Sequence, residues 1–247
     1  MPARFIRAVL FDLGNTLMFS PQPWGPVLQQ AERALAQTLC QHGLIVDCDT
    51  FHLDFRRSLN DYYSSRDEDL FERTTESVLR RLLDEKGIPQ PPENIIRAAL
   101  DAFYAVTQQN WQPEEDALPT LDALQKRGYR LGIVSNAADH KDVQQLVEKA
   151  HFEPYMDFII TSAACSYRKP HARIFELALS HWGLPPREVA MVGDLLEADI
   201  LGARQIGLFG IWITRRAPRY ADLPAQPDAT LERLSELPGL LRKAYQP

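Results

Sequence analysis

Five short apolar runs punctuate the chain, each rich in branched aliphatic residues and bounded by charged or turn-forming positions. They are IRAVLFDL (6–13), YRLGIVSN (129–136), FIITS (158–162), EVAMVGD (188–194) and LFGIWIT (208–214). None keeps a strict apolar–polar alternation, so both faces suit burial, as in strands of a parallel sheet. The segments between and before the later runs instead repeat apolar residues at helical spacing: PTLDALQKRG (119–128), DHKDVQQLVEKA (139–150), PHARIFELALSHWG (170–183) and EADILGARQIG (197–207). Strand and helix alternating from about residue 112 onward predict βαβ units in a Rossmann-like, doubly wound α/β core.

The rhythm breaks between the first two strands. Residues 20–110 contain no strand pattern and read as helices, including 24–43, 69–87 and 91–110, with the proline break PQPP at 89–92. An insertion of roughly 90 residues is far longer than an ordinary connection. The expected organisation is therefore a discontinuous core, 1–19 with 111–247, carrying an inserted helical domain, 20–110. FSPQPWG (19–25) is the expected hinge into it, and RRAPRYADLPAQPDAT (215–230) the irregular surface stretch before a terminal helix.

The bulk numbers change this picture little. Of 247 residues, 45% are hydrophobic and 24% charged, ordinary for a globular protein. A net charge of −6 leaves no basic surplus to neutralise a polyphosphate backbone, so a nucleic-acid partner is not expected. The opening MPARFIRAVLFDL lacks a signal-peptide layout, because its apolar run carries Arg7 and ends in Asp12. No run reaches the ~18–20 apolar residues of a membrane span. Cys40, Cys48 and Cys165 are odd in number and show no C-x-x-C spacing, so reduced thiols, no zinc and a cytoplasmic location are expected.

Candidate chemistry sits at the strand ends. Asp12 follows VLF, Ser135 follows GIV and Asp194 follows MVG, while SYRKP (166–170) places Lys169 just ahead of a helix. In open α/β sheets ligands bind beyond the carboxyl ends of the strands, so these side chains should converge. Carboxylates, one hydroxyl and one ammonium suit phosphoryl chemistry. Asp12 and Asp194 suit Mg²⁺, with Asp199 as a third or outer carboxylate, and Ser135 suits a phosphate oxygen. Lys169 suits neutralising the transferred group and easing the crowding of Asp12 against Asp194.

These residues resemble the four motifs of the haloacid dehalogenase superfamily of phosphohydrolases. DLGNT (12–16) resembles the first, VSN (134–136) the second, RKP (168–170) the third and GDLLEAD (193–199) the fourth; the helical insertion resembles the superfamily's type-one cap. The resemblance implies a phosphatase of small phosphorylated metabolites working through an aspartyl-phosphate. Asp12 would be the nucleophile and Lys169 its catalytic partner. Thr16, Ser135 and Asn136 would be the substrate-binding residues, with Thr16 helping to orient the loop of the first motif and Ser135 binding the phosphate. Asp12, the backbone carbonyl of Gly14, Asp194 and Asp199 would hold Mg²⁺. The expected partner is a small phosphate ester, with neither nucleic acid nor membrane, and the protein a monomer or homodimer.

One position departs from the pattern. Gly14 stands where the superfamily's phosphatases carry the carboxylate that protonates the leaving group. The implied reading is a preference for good leaving groups, or an acid borrowed from elsewhere, such as Asp61, Asp67 or Glu68 of the cap. Dehalogenases also lack that acid and carry Ser-Asn in the second motif, so a 2-haloacid dehalogenase-type hydrolase is one alternative. A non-catalytic binding protein on the same fold is another. Asn15 replaces a glycine of the pattern and is expected to take a positive φ. His140, His171 and His181 read as surface residues on helices, Arg168 as either a phosphate contact or a surface charge, and Trp24 as packing more than pocket lining.

Overall fold

The computed structural model describes residues 5–219 and 225–244. The chain divides into two compact units, Met1–Phe19 with Pro113–Pro247, and Ser20–Gln112.

In the first unit, six parallel strands form one sheet: β1 (Ala8–Phe11), β2 (Arg130–Ser135), β3 (Phe158–Thr161), β4 (Val189–Gly193), β5 (Phe209–Ile213) and β6 (Ala229–Leu231). Their spatial order is β3-β2-β1-β4-β5-β6. β1 is central, with Phe11 opposite Ile133 on one side and Val192 on the other. Every residue of β1 and β4 is buried, which explains why these runs carry no polar alternation. Ala8, Leu10, Val134, Ile160, Val189 and Met191 share one hydrophobic cluster with Ile174, Phe175, Ala178 and Trp182 of the helix Ala172–Trp182. Burying side chains of that size is worth about 1.5–3 kcal/mol each.

The strand order reverses direction of growth between β1 and β4. Such a switch point opens a crevice beyond the strand carboxyl ends, and Asp12 and Asp194 are the first residues past these two strands. The sixth strand corrects the expectation of irregular chain through residue 230: Ala229–Leu231 pairs with Ile211–Ile213. A three-residue edge strand offers no periodicity to read, and a proline-rich approach hides it. Residues 220–224 of that stretch lie outside the described residues.

The second unit is helical: α1 (Trp24–Gln41), α2 (Cys48–Asp69), α3 (Thr75–Glu85) and α4 (Glu93–Thr107). Leu35, Leu39, Phe55, Leu59, Leu79, Leu83, Ile96 and Leu100 meet in its own core. The pattern did not single out α2, whose apolar stripe Phe51, Phe55, Leu59 and Tyr62 is narrow among charged residues. Asp47 caps its start by accepting from the Thr50 N–H. The next helix begins at Thr75 rather than 69, because Leu70 turns left-handed (φ 56°) and Thr74 caps the new start. At the unit's two ends, Trp24 and Trp111 pack with ring centroids 5.1 Å apart. Asn110 exchanges two hydrogen bonds with the Gln22 main chain nearby.

The cysteine expectation is also corrected. Cys40 and Cys48 form a disulfide, with Cα atoms 6.2 Å apart, while Cys165 remains a thiol whose Sγ donates to the Tyr167 carbonyl (3.5 Å). The helical hairpin brings the last turn of α1 against the first turn of α2, a proximity that eight residues of sequence separation do not reveal. Closing so short a loop stabilises by about 2–3 kcal/mol through the unfolded chain. Cys48→Ser is expected to lower the urea stability of the helical unit by that amount; a variant as stable as the oxidised parent would contradict it. Among the described residues no helix is long and apolar enough to cross a membrane.

Candidate active site

Three neighbouring strands deliver the site. The backbone N–H of Asp12 still bonds the Val192 carbonyl (2.9 Å), so the ladder holds the residue just past β1 in strand register. Asp194 follows β4 directly, and the chain then enters a widened, π-type helical turn, Leu196–Leu201, that carries Asp199. Ligand oxygens of Asp12, Asp194 and Asp199 lie within 4.8 Å of one another, and all three residues are buried.

Lys169 stands among them. Its Nζ donates to Asp12 Oδ1 (2.6 Å) and the Val134 carbonyl (2.8 Å), and pairs with Asp199 Oδ1 (2.7 Å). The loop holding it is fixed by Asn136, whose Oδ1 accepts from the Lys169 N–H (2.7 Å) while its Nδ2 donates to the Lys169 carbonyl (3.0 Å). Both polar ends of the Asn136 side chain are therefore occupied by the main chain of Lys169.

Three carboxylates facing one ammonium leave negative charge in excess. Burial pushes Asp12 up to about 6, opposed by Lys169 and reinforced by Asp199. Asp194 is pushed up to about 8, first by burial and then by the charges of Asp12 and Asp199. Burial alone would lower Lys169, but Asp12 and Asp199 outweigh it and hold its ammonium above the ordinary lysine range. Asp194 Oδ2 is buried with no hydrogen-bond partner among the described residues. An orphaned carboxylate oxygen inside a carboxylate-only donor cluster fits a hard divalent cation such as Mg²⁺. The same residues can hold a cation, bind a phosphate and present a nucleophile in one crevice.

A family model described as haloacid dehalogenase-like hydrolase matches residues 6–207. The chain belongs to that family of hydrolases. It is 27% identical over 239 residues to the glyceraldehyde 3-phosphate phosphatase of Pyrococcus furiosus, covering 96% of this chain and 92% of that one. Among solved structures it resembles a haloacid dehalogenase-family phosphatase from Thermococcus onnurineus, with 25% identity, a TM-score of 0.66 and coverage of 96% and 98%. It also resembles the fold of a 2-haloacid dehalogenase from Pseudomonas syringae, at 24% identity and a TM-score of 0.68, covering 97% and 99%.

Two backbone positions show how this haloacid dehalogenase-like hydrolase shapes its loops. Asn15 takes φ 56°, the left-handed conformation expected of it. At Gly193 a Cβ would collide with the Asp199 carboxylate, so only glycine lets that carboxylate close over the end of β4. Leu195 N–H then donates to Asp199 Oδ2 (3.0 Å). Gly14 bridges to Met18 within the loop after β1. Thr16 is buried, and its hydroxyl has no hydrogen-bond partner among the described residues; Ser135 ends β2 and is buried as well.

The remaining candidates have other occupations. Arg168 is buried rather than a surface charge. His140 bonds Thr161 Oγ1 (3.0 Å), His171 caps the helix Ala172–Trp182 by accepting from the Arg173 N–H, and His181 stacks on Phe158 (4.6 Å). His181 is exposed and His140 and His171 are half-buried, so all three reach the surface while making these contacts. In the helical unit, Asp61 lines a cavity with Ser58, Tyr62, Ser65, Arg73 and Arg81. Glu68 is exposed, and the side chain of Asp67 lies outside the described residues. The motif reading placed Asn136 with the substrate-binding residues and missed it as the clamp on Lys169, which lies beyond the neighbouring strand β3.

Proposed function

We propose that the protein is a Mg²⁺-dependent phosphatase of small phosphorylated metabolites that carries the phosphoryl group on Asp12. The observation that supports this reading most is the buried cluster of Asp12, Asp194 and Asp199 around Lys169, with Asp194 Oδ2 unpartnered. The phosphatase names of its relatives support a small phosphorylated substrate. Asp12, Asp194, Asp199 and the Gly14 carbonyl would hold the ion, which when bound orients the phosphoryl group and neutralises its oxygens.

In this reading the Asp12 carboxylate attacks phosphorus, and the bond to the leaving oxygen breaks as the new one forms. Lys169 keeps Asp12 ionised and offsets charge on the transferred group. The hydroxyls of Ser135 and Thr16 donate to phosphate oxygens. Asn136 acts as a positioning residue, since its amide is spent on the Lys169 main chain. Water then attacks phosphorus, releasing inorganic phosphate and restoring Asp12.

Gly14 cannot protonate the leaving oxygen. General acid assistance is worth about 10²–10⁴-fold, and its loss matters most when that oxygen leaves as a poorly stabilised alkoxide. Aryl and acyl phosphates are therefore expected to outrun alkyl phosphates by about 10²-fold in kcat/KM. A panel of p-nitrophenyl phosphate, acetyl phosphate, glyceraldehyde 3-phosphate, hexose 1- and 6-phosphates and 2-chloropropionate, with Mg²⁺ and with EDTA, tests both parts. Mg²⁺-dependent phosphate release supports the reading. Equal turnover of alkyl and aryl esters would assign proton delivery to another group. Halide release insensitive to EDTA, with no phosphate release, would replace the reading with a dehalogenase.

A further inference from the structure

Asp194 and Asp199 stand on chain with little regular structure of its own. Two residues, Asp194 and Leu195, lead from β4 into the π-type turn Leu196–Leu201, and such widened turns are rare. Something outside the turn has to keep the two carboxylates at the spacing a small cation requires. Trp212 is placed to do so. It lies on β5 opposite Gly193, the last residue of β4. Its indole Nε1–H donates to the main-chain carbonyl of Asp194 (2.9 Å). The body of the ring packs against the cluster of Leu196, Ile200 and Ala225, two of which belong to the turn that carries Asp199.

We propose that Trp212 is the positioning residue of the metal site. Its polar end pins the peptide of one carboxylate, and its apolar face pins the turn bearing the other. A single rigid side chain thus sets the separation of Asp194 and Asp199 through the main chain of one and the turn that carries the other. Groups that hold metal ligands in this indirect way are typically worth 10–100-fold in affinity. The inference rests on the Mg²⁺ reading of the site, and its test separates the two.

Trp212→Phe keeps an aromatic body against Leu196 and Ile200 and deletes the one N–H. Isothermal titration of the metal-free protein with MgCl₂ is expected to give a Kd raised about 10-fold or more in the variant. Its melting temperature in EDTA should be close to the parent's, and kcat at saturating Mg²⁺ little changed, with the loss appearing in the Mg²⁺ requirement. Trp212→Leu, which also removes the flat packing face, should bind more weakly still. A second measurement needs no variant to fold: in protein labelled with ¹⁵N-tryptophan, the Trp212 indole resonance should move along the same isotherm as the calorimetry. Unchanged Mg²⁺ affinity in Trp212→Phe, or an indole resonance that ignores the ion, would overturn the proposal. No Mg²⁺ binding by the parent itself would instead remove the metal reading beneath it.

Discussion

Asp12→Asn is expected to abolish phosphate release, by about 10⁴-fold or more, without unfolding the protein. Asparagine keeps the shape of the side chain and an oxygen to accept from Lys169 Nζ, but it is neither a nucleophile nor an anion. The aspartate is held against its own burial, which pushes it up to about 6. Removing the charge therefore relieves a cost in the metal-free state rather than adding one. The melting temperature in EDTA at pH 7 should be equal to or above the parent's. A variant that lost activity only in proportion to lost folded protein would make Asp12 structural, and one with appreciable turnover would remove it as nucleophile.

Asp194→Asn carries the second large effect, in two opposite directions. Mg²⁺ binding should weaken by at least about 10²-fold, since a direct ligand contributes more than the outer groups that orient it. Stability without metal should rise. Asp12 and Asp194 have folded values of about 6 and about 8 against an ordinary 3.8, so between those limits the folded state binds more protons than the unfolded. The metal-free parent should therefore lose stability as pH rises from roughly 4 to 8, each tenfold change in an acid constant being worth roughly 1.4 kcal/mol. Asparagine at position 194 removes the larger part of that slope, so the variant should melt several degrees above the parent in EDTA at pH 8 and fall below it once Mg²⁺ is added. Parallel pH profiles for the two proteins in EDTA would show that the crowding is not there.

Much of this site could be read from order along the chain because the fold places catalytic groups where strands end. Continuous apolar runs bounded by turn residues mark the five longer strands; Asp12 and Asp194 are the first residues past two of them and Ser135 the last residue of a third. Asn15 was legible for a similar reason: few residues other than glycine tolerate its backbone angle. What the pattern hides is whatever depends on meeting across space. The Cys40–Cys48 bond exists because two helices turn back on each other. Helix α2 is stabilised on a narrow stripe and by its cap, both weak signals in a strongly charged segment. The bidentate grip of Asn136 on Lys169 spans 33 residues of sequence, and Trp212 reaches the Asp194 carbonyl from 18 residues away on the next strand. The motif that contains Gly193 does not say why a glycine stands there, which the Asp199 carboxylate lying over it explains.

The central claim is that the phosphoryl group rests on Asp12 between donor and water. Acid quenching of the protein during turnover of ³²P-labelled acetyl phosphate tests it most directly. The expected result is protein-bound label that survives acid, is released by hydroxylamine as an acyl phosphate should be, maps to the peptide containing Asp12 and is absent from Asp12→Asn. Steady Mg²⁺-dependent phosphate release with no such label under rapid quench, or label that persists in Asp12→Asn, would contradict the account.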